Sequence, residues 1–310
     1  MSKLYDNWDK RIFSEVEFNY RISHRTIAKK IKRSKSFVSY RLKKLEDNNI
    51  ISYKPLIDYS KIGLQYYRII IETILDKDDI KKKISDLKLK TVWLAEKYDK
   101  ENFVLMVLAK NHSEFQNMWD SIYERLSKEI LSKDIHVIYC IHHLPSTFFH
   151  KDKGLRREYL TGKSEPIACS EDELGVLSIM TEDPVISMQR MEEKIKLSQS
   201  KIRRIIKDLE DKKVILAYQT LLNKNTLNIK HNKVFLGFDF SRKNKQSIIN
   251  ALRTYDNVVY ITESGYKYDL EFEAMSFNDA DLKEIIKKLK DNFNIKQIVL
   301  SQMISEEKLY

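Results

Sequence analysis

The residues best placed to do chemistry in this chain are cations. From Phe18 to Leu45 stand ten basic side chains: Arg21, Arg25, Lys29, Lys30, Lys32, Arg33, Lys35, Arg41, Lys43 and Lys44. No acidic residue interrupts them; Glu17 lies just before and Glu46 just after. Ile27, Ile31, Val38, Leu42 and Leu45 thread the stretch at helical spacing. A basic face on an ordered helical pair is a footprint for a polyanion, and a phosphodiester backbone is the leading partner. The competing reading is a solvated lysine-rich face.

Other chemistry is weaker. There are seven histidines, His24, His112, His136, His142, His143, His150 and His231. No glycine-rich phosphate cradle and no G-x-S-x-G is present. The oddity is CIHH, with Cys140, His142 and His143, followed by His150. On a strand Cys140 and His142 share one face and His143 takes the other. A metal site needs more convergent ligands, so packing or surface roles are expected, with no metal and no cofactor.

The chain has 310 residues, suited to about two domains of ordinary size, and 42% of them are hydrophobic, enough for real cores. A net charge of +11 favours an anionic partner. Two cysteines, Cys140 and Cys169, imply no disulfide framework, and the N-terminus has no apolar signal region. The longest aliphatic runs are far too short for a membrane span. A cytoplasmic protein is expected.

The elements that must position the cations follow. Trp8, Ile12 and Val16 mark a first helix, Ser23 caps a second and Ser34 a third. Ile50, Ile51 and Tyr53, the break at Pro55, then Leu56 and Ile57 predict a small β wing. Together these make a winged helix-turn-helix over 1–60. From Tyr66 alternation takes over, and strands and amphipathic helices follow in the order βαββαβ, a ferredoxin-like unit over 65–144. Residues 145–168 lose periodicity and are expected to be a connector.

Then the pattern recurs. With a shift of 164, residues 31–47 align with 195–211, identical at eight of seventeen positions. A second winged helix is expected over 169–222 and a second βαββαβ over 230–305. The fold class is α+β, two winged helix-turn-helix domains alternating with two ferredoxin-like domains.

On a helical wheel with Val38, Leu42 and Leu45 inward, Ser36, Tyr40 and Lys43 point outward, flanked by Arg33, Ser39 and Lys44. These six are the candidates for a major-groove face. Lys29, Lys30 and Lys32 would lie near the DNA backbone, the amides after Ser34 could meet a phosphate, and Arg25 and Lys35 join them as DNA-binding candidates. Arg41 lies nearer the buried side and suits a phosphate or an acidic neighbour. The second copy offers Ser200, Lys201, Arg203, Arg204 and Lys207. Residues 1–50 balance to +7 and residues 170–220 to −1, so the first copy should dominate nonspecific affinity.

The run SHRTIAKKIKRSKSFVSYRLKKLEDNNIISYKPLIDYSKIG, with Ala28, Ser34, Val38, Arg41, Leu45, Glu46, Ile50, Ile51 and Gly63 in register, resembles the N-terminal half of the leucine-responsive/asparagine-type (Lrp/AsnC) regulators. The βαββαβ unit resembles that family's sensing and assembly (RAM-type) domain, so the likeness covers nearly the whole chain twice. It implies a double-stranded-DNA-binding transcription regulator, a homodimer or higher assembly, and a small effector such as an amino acid. Gly265 and Asp269 match the family's Gly-x-x-x-Asp effector turn; the first copy has Tyr98 and Asn102 there. Proteins resembling this family also decarboxylate sirohaem with histidine and arginine in the βαββαβ region. None of the seven histidines stands in a recognisable cluster of that kind, so the chain is expected not to be an enzyme. A pure assembly protein is the third reading, and it gives the basic helix-turn-helix no purpose.

Overall fold

The fold is given by a computed structural model, which describes residues 4–84, 87, 91–97, 102–151, 157–265, 267, 268 and 270–307. The first part of the chain runs α1 (Asn7–Val16), α2 (His24–Ile31), α3 (Lys35–Asp47), β1 (Ile51–Ile57), β2 (Gln65–Thr73) and α4 (Lys77–Ile84). Next come β3 (Thr91–Lys97), β4 (Asn102–Ala109), α5 (His112–Leu126), β5 (Ile130–His143), α6 (Thr147–His150) and β6 (Tyr159–Thr161). The later part gives α7 (Glu171–Glu182), α8 (Met188–Ile195), α9 (Gln199–Asp211), β7 (Ile215–Leu222), α10 (Lys224–Leu227) and β8 (Lys230–Phe238). It ends with α11 (Arg242–Leu252), β9 (Val258–Gly265), β10 (Leu270–Ser276), α12 (Ala280–Asn292) and β11 (Ile295–Glu307). Two compact units result. One comprises Met1–Ile62, Pro145–Arg157 and Pro166–Ile229; the other Gly63–Leu144, Glu158–Glu165 and Lys230–Tyr310.

The first unit holds both winged helices. Each helix starts where a short polar side chain takes up a free amide. Asp6 caps α1, Ser23 α2 and Ser34 α3; Ser170, Ser187 and Ser198 do the same for α7, α8 and α9. Each such cap is worth about 1 kcal/mol. The apolar stripes converge as their spacing requires, with Ile12, Phe13, Val16, Ile27, Ile31, Val38, Leu42 and Leu45 buried in the first bundle. Val176, Met180, Met191, Ile202, Ile206 and Leu209 fill the second.

The wing differs from expectation. β1 is one strand that runs through Pro55 and pairs antiparallel with β7, from Ile51 opposite Leu222 to Ile57 opposite Ile215. The two winged helices thus complete each other's sheet. A two-stranded ribbon has only edge strands, which is where a proline lacking its amide is tolerated.

The described part of 145–168 holds two short elements. In α6, Phe149 packs against Tyr5 and Phe13, with ring centroids 5.0 and 5.3 Å away, and His150 Nε2 lies 3.1 Å from Glu17. β6 joins the sheet of the other unit through β5.

That unit contains the element order βαββαβ twice, β2-α4-β3-β4-α5-β5 and β8-α11-β9-β10-α12-β11. The strand order is β2-β4-β3-β11-β8-β10-β9-β5-β6, and β2 also pairs with β5. The sheet therefore closes into an antiparallel barrel of eight strands, with β6 attached outside the ring. Closure depends on two long strands. β5 pairs with β2 over its first part and with β9 over its second; β11 pairs with β8 and then with β3. Alternation sends one face of each strand to the helices, as with Tyr67, Ile69 and Ile71 or Val234 and Leu236. The other face points into the barrel.

Among the described residues no helix is long and apolar enough to cross a membrane.

Candidate nucleic-acid interface

Helices α2 and α3 carry the basic stretch. Ser36, Tyr40 and Lys43 are all exposed on α3, Tyr40 by 65% despite its ring. Lys32, Arg33, Ser34 and Lys35 are exposed at the turn into α3, and Arg25 and Lys29 on α2. Lys32 ends α2 in the left-handed conformation at φ 58°, as Lys196 ends α8 at φ 59°.

Several of these side chains are held in place by neighbours the sequence did not point to. The Arg33 guanidinium stacks on Trp8, its centre 4.1 Å from the ring centroid. Ser39 is half-buried, its hydroxyl 2.7 Å from His24 Nδ1. Lys44 is half-buried. The Ser34 hydroxyl accepts from the Phe37 amide and lies 2.9 Å from Ser36 Oγ. Lys30 is paired with Glu15 at 2.5 Å.

Arg41 is a structural residue. Its Nε and Nη2 donate to the two carboxylate oxygens of buried Asp9 at 2.7 and 2.6 Å, and Asp6 adds a contact at 2.5 Å. This fork ties α3 to the start of α1 and so sets the angle at which the α3 face is offered. In the second copy Ile205 replaces Arg41. The acid equivalent to Asp9, Glu173, is instead paired with Lys212 at 2.6 Å. Burial opposes the Glu173 charge, but Lys212 and the Ser170 amide and hydroxyl hold its carboxyl below the usual range.

The α9 face is quieter electrostatically. Ser200, Arg203, Arg204 and Lys207 are exposed, but Lys201 is paired with Asp172 at 2.5 Å. Asp208 is exposed beside Lys207.

Of the effector pair, Gly265 ends β9 under Tyr139, and a Cβ there would overlap the tyrosine hydroxyl. Asp269 lies outside the described residues, as do Tyr98 and the side chain of Asn102.

The barrel interior is charged. Arg68 on β2 is fully buried, its Nη1 donating to Glu271 on β10 at 2.7 Å, with Nη2 also bonded to that carboxylate. Lys233 lies 3.9 Å from Glu271 and 2.5 Å from Glu273, and His231 sits 2.8 Å from Glu273. Burial opposes the charge on Glu271, but Arg68 and Lys233 outweigh it and hold the carboxyl below its ordinary range. His136 pairs with Arg68 in the β2–β5 register. Burial, then the Arg68 charge, lower its pKa to about 4, so the ring is neutral at pH 7. An arginine and a histidine do therefore stand together in the βαββαβ region. The sequence reading missed them because β2 and β5 lie far apart in the chain.

One unit thus holds two winged helices, and the other closes two βαββαβ repeats into a barrel with a charged interior. A family model described as winged helix-turn-helix DNA-binding matches residues 6–52. The siroheme decarboxylase NirDL matches with TM-score 0.61 at 11% identity, covering 97% of this chain and 92% of that one. Its complex with an iron-uroporphyrin III analogue matches equally. An AsnC family transcriptional regulator from Agrobacterium tumefaciens matches 44% of the chain and 91% of its own, with 17% identity and TM-score 0.40. No curated protein matches the sequence. The full-length likeness is thus to an enzyme, which overturns the expectation that the chain is not one.

Proposed function

We propose that the chain is a cytoplasmic, sequence-specific double-stranded-DNA-binding transcription regulator, a two-copy protein of the Lrp/AsnC type. The observation that supports this best is the exposed basic face of α2 and α3, braced from behind by the Arg41–Asp9 fork. On this reading Ser36, Tyr40 and Lys43 enter the major groove. Arg25, Lys29, Lys32, Lys35 and the amides capped by Ser34 hold phosphates. Arg33 on Trp8 and Ser39 on His24 act at the rim from fixed positions. The second copy, with Ser200, Arg203, Arg204 and Lys207, reads a different half-site, so the operator is asymmetric. Two chains pair to form the working assembly, and a small effector bound near the Gly265 turn would modulate it.

The test is a gel shift with selected operator DNA. Lys43→Ala should weaken binding about tenfold, the scale of one specific contact, while Lys207→Ala changes it by less. The reverse order refutes the ranking, and DNA affinity unchanged by Lys43→Ala refutes the groove assignment.

A second reading is tetrapyrrole chemistry in the barrel. It is supported by the full-length likeness to a siroheme decarboxylase and by the Arg68–His136 neighbours on the inner wall. On that reading Arg68 would steady a substrate carboxylate and the neutral His136 would handle a proton. Titration of the purified chain with iron-uroporphyrin III, followed by its Soret band, tests it; an unshifted band in wild type counts against this reading.

A further inference from the structure

The CIHH motif acquires a third arm in the folded chain. β5 and β9 pair with Cys140 opposite Glu263 and His142 opposite Ile261. Opposed residues in a ladder share a face, so Cys140, His142 and Glu263 come together on one side of the sheet. All three are buried, and one ligand atom from each lies within 4.8 Å of the others. His142 Nε2 stands 3.3 Å from Glu263 Oε1. Two ligands of a tetrahedral ion with bonds of about 2.0 Å are separated by about that distance.

The surroundings fit the same reading. His142 Nδ1 lies 2.5 Å from Glu158 Oε1, which is itself held by Arg253 Nε and Nη2 at 3.0 and 2.9 Å. A carboxylate on the far nitrogen is the usual device that orients a metal-binding imidazole and raises its basicity. Glu263 Oε2 is fixed by Lys245 at 2.7 Å. The coordinating oxygen, Oε1, carries the ammonium of Lys163, a side chain 54% exposed and free to swing out to water.

We propose that Cys140 Sγ, His142 Nε2 and Glu263 Oε1 bind one divalent transition ion of the zinc class, with Glu158 orienting the imidazole and the Lys163 ammonium occupying the cation's place in the metal-free chain. A thiolate, an imidazole and a carboxylate form a ligand set that selects zinc over calcium or magnesium. A fourth position, toward Lys163, is left for water. The site lies on the helix-facing side of the sheet, distinct from the barrel interior and from the DNA-binding face.

The experiment uses the full chain stripped with chelator and titrated with cobalt(II), with zinc(II) as competitor. The expected result is one equivalent bound per chain, tetrahedral visible bands and a near-ultraviolet sulfur-to-cobalt charge-transfer band, all displaced by zinc. Cys140→Ser should abolish the charge-transfer band, and Cys169→Ser should keep it. Glu158→Gln should keep the band and weaken affinity by about 10–100-fold. Because Glu158 is not a ligand and lies on a partly exposed segment, this variant carries the test if Cys140→Ser fails to fold. No charge-transfer band in the wild type, a band that survives Cys140→Ser, a band lost in Cys169→Ser, or affinity untouched by Glu158→Gln would overturn the proposal. The cluster would then be an ion-pair clamp only.

Discussion

If DNA sits on the first winged helix, its salt dependence is set by cations that can be counted. Arg25, Lys29, Lys32, Arg33, Lys35 and Lys43 are exposed, whereas Lys30 is engaged with Glu15 and Arg41 with Asp9. Each phosphate neutralised releases about 0.9 counterion, so the four cations assigned to phosphates, Arg25, Lys29, Lys32 and Lys35, give a slope of log affinity against log salt of about −4. Between 50 and 200 mM salt the affinity should then fall by roughly two hundredfold. Changing Lys29, Lys32 and Lys35 together to alanine should bring the slope to about −1, because three contacts remove close to three counterions. Fluorescence anisotropy of a labelled duplex, titrated at several KCl concentrations, reads both slopes. An Arg203→Ala, Arg204→Ala, Lys207→Ala triple on α9 should move the slope less, since Asp208 and the Asp172–Lys201 pair already dilute the charge there. Equal slopes for wild type and the first triple would refute the assignment of α2 and α3 as the principal phosphate contact.

Three further outcomes follow from the barrel unit. Glu271→Leu leaves Arg68 as a buried unpaired cation and should cost about 3–5 kcal/mol in urea unfolding; Arg68→Met with Glu271→Leu should recover most of it, and a single variant as stable as wild type would contradict the pairing. His136, lowered to about 4 from the ordinary 6.5, is protonated in the unfolded chain before the folded one as pH falls. Its contribution is complete above pH 6.5 and is lost progressively down to pH 4, about 3 kcal/mol in all, so His136→Gln should flatten urea midpoints across that window. Gly265→Ala should destabilise the β5–β9 pairing by displacing the Tyr139 ring, and Tyr139→Ala in the same chain should restore the midpoint.

Much of the fold was legible because the helices advertise themselves. Ser23, Ser34, Ser187 and Ser198 sit one residue before helices whose apolar stripes have period 3.6, and all four are caps in the structure. The βαββαβ strands were legible through the alternation of Tyr67, Ile69 and Ile71. What was hidden is what the two halves do to each other. Nothing local in Ile51–Ile57 says that its partner is Ile215–Leu222. Arg68, Lys233, Glu271 and Glu273 alternate with apolar residues as a solvent-facing row would, and only barrel closure turns that row inward. The third arm of the Cys140–His142 cluster, Glu263, stands 121 residues from His142. At the DNA-binding face the outward trio was readable from the wheel alone. The brace behind it was legible only in part: the inward place of Arg41 allowed for an acidic neighbour, but not which one, because Trp8 and Asp9 reach α3 from a helix with no charge pattern of its own.

The β1–β7 ribbon bears on how this protein is made. β1 leaves the ribosome early, yet every one of its ladder partners lies roughly 160 residues further along the chain. At about 5–20 residues per second that is a wait of roughly 10–30 s during which a complete DNA-binding bundle ends in a bare, apolar strand edge. Such an edge is a template for a neighbouring nascent chain on the same polysome. Residues 1–60 expressed alone would keep that edge unpaired and should self-associate, whereas co-expression with residues 169–229 should suppress it.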